Sequence, residues 1–249
     1  MKKILLFAGI LAVCASVSTF AEEIKEYREE DTKECGEEQL CDLEGNLITG
    51  MVRSYYKGSG NLNEELPFKD GKAEGIRKWY YESGKLRYEE AYKDGKKEGV
   101  EKWYRGDGTL EQETPYRNDK KEGVEKVYYR DGILWQETPY TDGKVNGIEK
   151  YYDKDGNVLA ENVYKEDVPD GIIKNYSADG TWYETPYKDG KEDGIVKSYY
   201  PDGTLKTEIP YKDGKREGVA KEYRKDGTLE RETPYKDGKM WIVRKRKLK

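Results

Sequence analysis

Residues 211–239 read YKDGKREGVAKEYRKDGTLERETPYKDGK, and versions of this stretch recur without a break back to about residue 47. One glycine marks each copy and returns every 23 to 25 residues, at Gly50, Gly75, Gly99, Gly123, Gly147, Gly171, Gly194 and Gly218. A second glycine column keeps the same phase, at Gly60, Gly84, Gly108, Gly132, Gly156, Gly180, Gly203 and Gly227. Two glycine columns in phase over eight copies predict an architecture built from one repeated unit.

Within a copy, the alternation of side chains predicts β-strands. In the third copy Val100, Lys102 and Tyr104 alternate with Glu101 and Trp103. A period of two is that of a strand and not of a helix. Turns of the KDG type separate short runs rich in Val, Ile and Tyr, which is typical of β-hairpins.

The glycine of the longer turn fixes the expected register of each hairpin. A three-residue loop that ends at Gly108, with this glycine in the left-handed region, places Tyr104 opposite Leu110. One face of the sheet then carries the aliphatic column, the first tyrosine, the leucine and the second tyrosine, Tyr116. We expect the glycines and first tyrosines of the central copies to be structural: Gly99, Gly123, Gly147, Tyr104, Tyr128 and Tyr152.

Two strands per copy predict an all-β fold. About sixteen strands at roughly 4.8 Å each make a sheet about 75 Å long, and roughly 20° of twist per strand turns it through most of a circle. The expected architecture is an elongated, twisted, single-layer antiparallel meander of β-hairpin repeats, in which neighbouring copies stabilise each other. Tyrosine suits such a thin layer, because its ring covers apolar surface while its hydroxyl reaches water.

The order Tyr, turn Gly, Leu, Glu, Tyr, DGK, Gly resembles the MORN-repeat variant common in bacteria, and the resemblance covers about residues 47–239. It implies a MORN-like β-hairpin fold. Many bacterial members carry the name YwqK-type antitoxin, which implies inhibition of a partner protein.

Residues 1–21 have the parts of a secretory signal peptide: two lysines, an apolar run at 4–13 and a small residue, Ala21, at the cleavage site. The apolar run is too short for the alternative, a membrane-spanning helix. Val13 stands where a lipoprotein leader has a small residue, which argues against a lipid anchor on Cys14. We therefore expect export to the periplasm, the cell envelope or the medium, with no transmembrane span.

Residues 22–46 hold eleven Asp or Glu against three Lys or Arg, which is typical of a solvated segment. Cys35 and Cys41 are the cysteines that follow the leader, and in an exported chain they predict a disulfide loop that caps the repeats. Two cysteines in a chain without histidine cannot complete a tetrahedral zinc site. A pair of free thiols remains the alternative.

Some copies depart from the pattern. The first has an extra residue near Gly58, the sixth lacks one after Trp182, and Asp119 and Asp167 replace the glycine of the DGK turn. We interpret these changes as drift at loops, where substitutions cost little.

The tail, residues 240–249, ends in a run of Arg and Lys. We expect a last strand at 241–243 whose charges protect the open edge of the sheet. Contact with anionic lipid or glycan is the alternative.

The composition argues against an enzyme. The chain has no histidine, which removes Ser-His-Asp and Cys-His catalysis and the usual general base. Its ordered Lys and Glu columns occur in eight equivalent copies, which is typical of cross-strand pairing rather than of one catalytic site. The DGK loops match neither a phosphate loop nor a calcium loop, so we predict no cofactor. The net charge of −5 argues against nucleic-acid binding.

One column varies between copies and is a candidate partner-binding surface. Copies two to five carry Trp79, Trp103, Val127 and Tyr151 there, and later copies are polar. In the expected register Trp135 lies on the same face, across from Val127. Aromatic patches on a surface tend to mark binding sites. The alternative is that these rings cover glycines of neighbouring strands.

Three functions compete. The first is an exported, non-enzymatic scaffold that binds another protein at the cell envelope, which fits the extended repeat surface. The second is a glycan or peptidoglycan binder, which fits export and the abundance of Tyr and Trp. The third is a YwqK-type antitoxin, but an exported chain would not reach a cytoplasmic toxin.

Overall fold

The computed structural model describes residues 25–36 and 39–241. The predicted leader with Cys14, and residues 242–249 of the tail, lie outside the described residues. Within them the chain forms one sheet of 25 strands and a separate two-stranded hairpin. The sheet is a meander of antiparallel hairpins that does not close into a barrel, which confirms the predicted fold class.

The N-terminal segment contains β1 (Glu26–Arg28), a 3₁₀ helix (Glu29–Asp31), β2 (Thr32–Gly36) and β3 (Gln39–Asp42). The repeats contribute β4 (Gly50–Tyr55), β5 (Leu62–Lys69), β6 (Lys72–Ala73), β7 (Gly75–Tyr80), β8 (Leu86–Lys93), β9 (Lys96–Lys97), β10 (Gly99–Tyr104), β11 (Leu110–Arg117), β12 (Lys120–Lys121), β13 (Gly123–Tyr128), β14 (Leu134–Thr141), β15 (Lys144–Val145), β16 (Gly147–Tyr152), β17 (Val158–Lys165), β18 (Val168–Pro169), β19 (Gly171–Tyr176), β20 (Trp182–Lys188), β21 (Lys191–Glu192), β22 (Gly194–Tyr199), β23 (Leu205–Lys212), β24 (Lys215–Arg216), β25 (Gly218–Tyr223), β26 (Leu229–Lys236) and β27 (Lys239–Met240).

In copies two to eight the long hairpin has the predicted loop, and the extra residue of the first copy lengthens its loop by one. In the third copy the Arg105 amide donates to the Thr109 carbonyl at 2.8 Å, and the Gly108 amide donates to the Arg105 carbonyl at 2.8 Å. Gly108 has φ +95°, and Tyr104 pairs with Leu110. The three-residue loop and the first cross-strand pair are therefore as the glycine spacing predicts.

Beyond that first pair the register differs from the prediction. Tyr104 pairs with Leu110, whereas Trp103 pairs with Gln112, so Glu111 is left without a partner as a β-bulge. An extra residue on one strand exchanges the faces of every later side chain on that strand. The expectation that the second tyrosine of each copy shares the face of the first is therefore wrong.

The two faces can be named from the third copy. The Trp face carries Glu101, Trp103, Gln112, Thr114 and Tyr116. The Val face carries Val100, Lys102, Tyr104, Leu110, Glu113 and Pro115. Each face has three rows that run across the strands from copy to copy.

The buried side chains of the array are mainly polar and lie on the Trp face. They include Glu90, Glu101, Thr114, Glu125, Thr138, Glu149 and Thr185. Glu125 shows how they are satisfied: it accepts from Thr114 Oγ1 at 2.9 Å and from Lys121 Nζ at 2.6 Å. Among the described residues no buried side-chain nitrogen or oxygen lacks a hydrogen-bond partner.

The aliphatic column lies on the Val face and stays 44–50% exposed, at Ile76, Val100, Val124, Ile148, Ile172, Ile195 and Val219. The expectation that tyrosine rings cover this apolar stripe is wrong. The physical reason is the row order, since the Lys–Glu row lies between the aliphatic row and the Tyr–Leu row.

Hydrogen bonds between copies repeat along the Val face. The Tyr104 hydroxyl donates to Glu89 at 3.0 Å, and the Tyr128 hydroxyl donates to Glu113 at 2.9 Å. Tyr152 repeats the bond to the preceding copy at 2.8 Å. The first tyrosine thus ties the second to fifth, the seventh and the eighth copies to the copy before each of them.

The acidic N-terminal segment is folded where the structure describes it. Strand β1 pairs with β4 in parallel and lies along the first edge of the array. Strands β2 and β3 form a hairpin closed by the Cys35–Cys41 disulfide, with a Cα–Cα distance of 5.8 Å. Leu40 and Gly71 join this hairpin to the first copy through a backbone hydrogen bond of 2.8 Å. This segment caps the array and is not a free solvated tail.

Two of the sequence irregularities are more than drift. The sixth copy pairs Tyr176 with Trp182 and Asn175 with Tyr183 without a register shift, so its missing residue is the bulge residue. Asp119 has φ +67°, and its carboxylate accepts from the Lys97 amide at 2.8 Å. That bond compensates for a backbone conformation that otherwise favours glycine.

Candidate binding surface

The predicted aromatic residues of copies two and three belong to one cluster on the Trp face. Trp79 and Trp103 both pair with Tyr88, which lies between them. The centroid of the Tyr88 ring lies 5.0 Å from that of Trp79 and 4.3 Å from that of Trp103. Tyr88 is only 3% exposed, and both tryptophans are half-buried. Sequence reasoning missed Tyr88, because only the bulge at Arg87 brings it to this face.

Carboxylates lie in the row next to the rings on the same face. The Tyr88 hydroxyl is within hydrogen-bond distance of both Glu90 and Glu101, at 2.9 Å from the latter, and donates its single proton to one of them. Trp103 Nε1 donates to Glu101 at 3.0 Å. Lys97 Nζ donates to Glu101 at 2.9 Å and pairs with Glu90. These hydrogen bonds therefore fix the orientation of the Tyr88 and Trp103 rings.

These contacts determine how the buried carboxyl titrates. Burial opposes the ionisation of Glu90, but hydrogen bonds from Lys97, Tyr88 and Tyr92 outweigh it and lower the pKa of Glu90. Burial and the two carboxylates raise the pKa of Tyr88 well above its ordinary value. At neutral pH Glu90 is consequently ionised and Tyr88 is neutral.

One edge of the cluster is charged. The guanidinium of Arg77 lies 4.0 Å from the centroid of the Trp79 ring, a cation–π contact. Arg77 Nε also donates to Glu64 at 2.6 Å. A shallow cleft of about 400 Å³ opens beside the cluster and is lined by Asn63, Glu64, Trp79, Tyr80, Arg87 and Trp103.

Trp135 and Tyr151 form a second aromatic pair, with ring centroids 5.7 Å apart. The prediction that Trp135 lies across from Val127 is wrong, because Val127 pairs with Gln136 and Trp135 is the bulge residue of its hairpin. Trp135 is 37% exposed. Gln112, Val127 and Gln136 lie between Trp103 and Tyr151 in this row. The expected aromatic stripe is therefore divided into two patches.

The alternative role of these rings was to cover strand glycines. In the structure other side chains lie opposite the marker glycines. The residue opposite the marker glycine Gly99 is Tyr116, and a tyrosine has this place in every copy but the first, where it is Phe68. A side chain on Gly123, which has φ +113°, would lie 3.0 Å from Pro115 Cγ. The marker glycines therefore lie against the second tyrosine and proline columns. The tryptophans do not pair with the marker glycines.

Among residues 25–36 and 39–241, no group of three or more His, Cys, Asp or Glu is arranged to hold a metal ion. No helix in this part of the chain has the length and apolar character needed to cross a membrane.

The fold and its two faces define a β-hairpin repeat scaffold. The family described as MORN repeat variant matches six segments that together cover more than half of the chain, at residues 73–94, 97–118, 121–142, 145–166, 192–213 and 216–237. The chain belongs to this family, which confirms the resemblance seen in the sequence. The first copy and the sixth, which has no bulge, fall outside the matched segments. A comparison with curated proteins finds no match.

Proposed function

We propose that the protein is an exported, non-enzymatic scaffold that binds another protein at the cell envelope through the aromatic patches of its Trp face. Membership of the family supports a binding scaffold. The observation that carries the proposal is the restriction of the aromatic rings to part of the array. The same row holds Ser198 and Glu222 in the seventh and eighth copies, whose hairpins have the same bulged register. Because those copies form the same hairpin, the rings are not a requirement of the fold.

A partner on this patch would meet aromatic rings whose orientation is already fixed. The bond from Trp103 Nε1 to Glu101 and the packing of both tryptophans on Tyr88 hold the rings in place, so little conformational entropy is lost when a ligand packs against them. Aromatic side chains and arginine are the residues that contribute most to protein interfaces. Arginine is supplied by Arg87, which lines the cleft, and by Arg77, which lies over the Trp79 ring.

The absence of catalysis is part of the proposal. The Lys and Glu columns are used in cross-strand ion pairs, such as Lys102 with Glu89 at 3.5 Å and Lys150 with Glu161 at 3.4 Å. Groups that recur in eight equivalent copies give no single site where a pair of carboxylates differs in environment.

Export is supported by the leader-like residues 1–21 and by the Cys35–Cys41 disulfide, since disulfides persist in oxidising compartments. The intact mass of the protein recovered from its own cells tests this part. A chain that begins after Ala21 is the expected result, and a mass that includes Met1 or a lipid on Cys14 would contradict it.

The binding face is tested by replacing Trp79 and Trp103 with serine, the residue that Ser54 and Ser198 place in the same row. Crosslinking and capture from native envelope is expected to lose one stoichiometric protein, at a temperature at which circular dichroism shows the double variant to be folded. The control is Trp182→Leu, which removes a tryptophan from the Val face and restores the residue found there in other copies.

Undiminished capture by the double variant, or equal loss in the control, would refute a role for the Trp face. A glycan binder is the second candidate, because the cleft sets Asn63 and Glu64 beside the aromatic rings. Co-sedimentation with purified cell wall, abolished by the same double variant, would favour it over a protein partner.

A further inference from the structure

The Val face presents a continuous apolar row that the described residues do not cover. Seven aliphatic side chains from Ile76 to Val219 are 44–50% exposed, one in each copy from the second to the eighth. The partner of each across its hairpin is also apolar, as in Val100 with Pro115 and Ile148 with Val163. A row of this length exceeds the scattered apolar exposure that is ordinary on a monomer surface.

The neighbouring row on the Val face is charged, and its sign alternates strand by strand. Lys102 is paired with Glu89 on one side and Glu113 on the other, and Glu113 is paired in turn with Lys126. The alternation runs from Arg53 to Glu232: Arg53, Glu65, Lys78, Glu89, Lys102, Glu113, Lys126, Glu137, Lys150, Glu161, Lys174, Glu184, Lys197, Glu208, Lys221 and Glu232. A surface of strictly alternating charge is complementary to itself when it is shifted by one strand.

We propose that the Val face binds a second copy of this chain, with the two arrays antiparallel and the two-fold axis passing between adjacent strands near Ile148. About an axis along the strands, each row meets the same row of the partner. The aliphatic row then packs on the aliphatic row. Because the axis lies between two strands, every Lys strand faces a Glu strand, so the charged rows meet with opposite signs. This is the isologous contact expected of a two-fold dimer.

The parallel arrangement is disfavoured by the same rows. An axis along the array keeps each strand at its own position, so lysine would face lysine and the aliphatic row would face the Tyr–Leu row. Like charges opposed across an interface disfavour association.

The size of the Val face is sufficient for a dimer. The row from Ile76 to Val219 covers twelve strand spacings of roughly 4.8 Å, and the three rows span about 13 Å, which together give about 750 Å² per copy. A standard interface buries about 800 Å² per partner, which is close to this area. Two copies have the same twist by identity, which suits the aligned class of sheet packing.

The experiment measures the mass of the full chain, expressed with its own leader, by sedimentation over a range of micromolar concentrations. The expected mass is twice that of one chain. Ile148→Asp places a carboxylate without a partner near the axis and is expected to weaken association about tenfold or more. The control is Tyr183→Asp, since Tyr183 is 42% exposed but lies on the Trp face.

Cysteine substitutions test the orientation separately from the mass. With a thiol crosslinker of about 10 Å, the spacing of packed sheets, Ile148→Cys is expected to give a covalent dimer and Ile76→Cys is not. Crosslinking through Ile76→Cys would overturn the antiparallel arrangement. A monomer at every concentration, or equal weakening by Ile148→Asp and Tyr183→Asp in folded proteins, would overturn the proposal.

Discussion

Replacement of Tyr128 by alanine in the middle of the array should destabilise the protein more than the same change at Tyr223. Each hydroxyl donates to a glutamate of the preceding copy at 2.9 Å, to Glu113 and Glu208 respectively. Tyr128 is followed by four more copies, whereas Tyr223 lies in the last one, where Leu229 is 47% exposed. In a stacked array a central copy is held by two neighbours and a terminal copy by one.

The magnitude follows from what each ring loses. Truncation of a fully buried aromatic residue costs about 3–5 kcal/mol, and Tyr128 is half-buried, so its ring contributes about 2 kcal/mol. Its hydrogen bond to a carboxylate adds about 1 kcal/mol after allowance for solvent. We expect a loss of about 3 kcal/mol for Tyr128→Ala, about 1 kcal/mol for Tyr128→Phe, which removes the hydroxyl alone, and a smaller loss for Tyr223→Ala than for Tyr128→Ala.

The assay is equilibrium unfolding in urea, with the slope as a check that unfolding stays cooperative. Tyr223→Phe is the matched control for the hydroxyl at the terminal position. Equal losses for the two alanine variants would refute the account, because they would show that a second neighbouring copy adds nothing.

Three further outcomes are expected. Burial and the bond to Glu89 raise the pKa of Tyr104 to about 12. The contribution of this shift to stability is therefore complete below the unfolded pKa of about 10 and is lost as the pH rises through about 12. Phenolate absorbance should show a group of tyrosines that titrates late, and one transition near pH 10 would contradict this. Asp119→Ala should cost about 1–2 kcal/mol, because it loses the bond to the Lys97 amide and keeps the positive φ, whereas Asp119→Gly should stay within about 0.5 kcal/mol; equal losses in chemical denaturation would contradict the bond. One glutamate inserted between Trp182 and Tyr183 should cost less than about 1 kcal/mol, because the other copies carry a bulge there; loss of folding, seen by circular dichroism, would contradict that reading.

Local chemistry made the hairpins predictable from sequence. The loop at Gly108 depends on one residue that tolerates a left-handed conformation, and the period of two depends only on which side chains alternate. These signals act within a few residues of the chain. For the same reason the family resemblance and the fold class agree with the structure.

The bulge could not be found from alternation, because a strand alternates equally well on both sides of an inserted residue. Its consequence was nevertheless present in the charge columns. In the expected register Lys102 faces Gln112, but the eight copies place a lysine or arginine in one column and a glutamate in another, and only a shift of one residue pairs Lys102 with Glu113. The residue that the sixth copy lacks marks the same position. The bulge alone brings Tyr88 to the face that carries Trp79 and Trp103.

A single-layer sheet cannot protect an apolar core on both sides, and this chain uses charged groups where a globular domain uses aliphatic ones. Glu101, Glu125 and Glu149 are buried because lysine, threonine and tryptophan donors of the same or adjacent copies satisfy them. A charged fraction of 39%, which by composition suggests disorder, is therefore part of the fold. Because stability comes from bonds repeated in each copy, the outer row of the Trp face is free to differ from copy to copy. Trp79 and Trp103 lie in that row, where a change of side chain alters what the scaffold binds without altering how it folds.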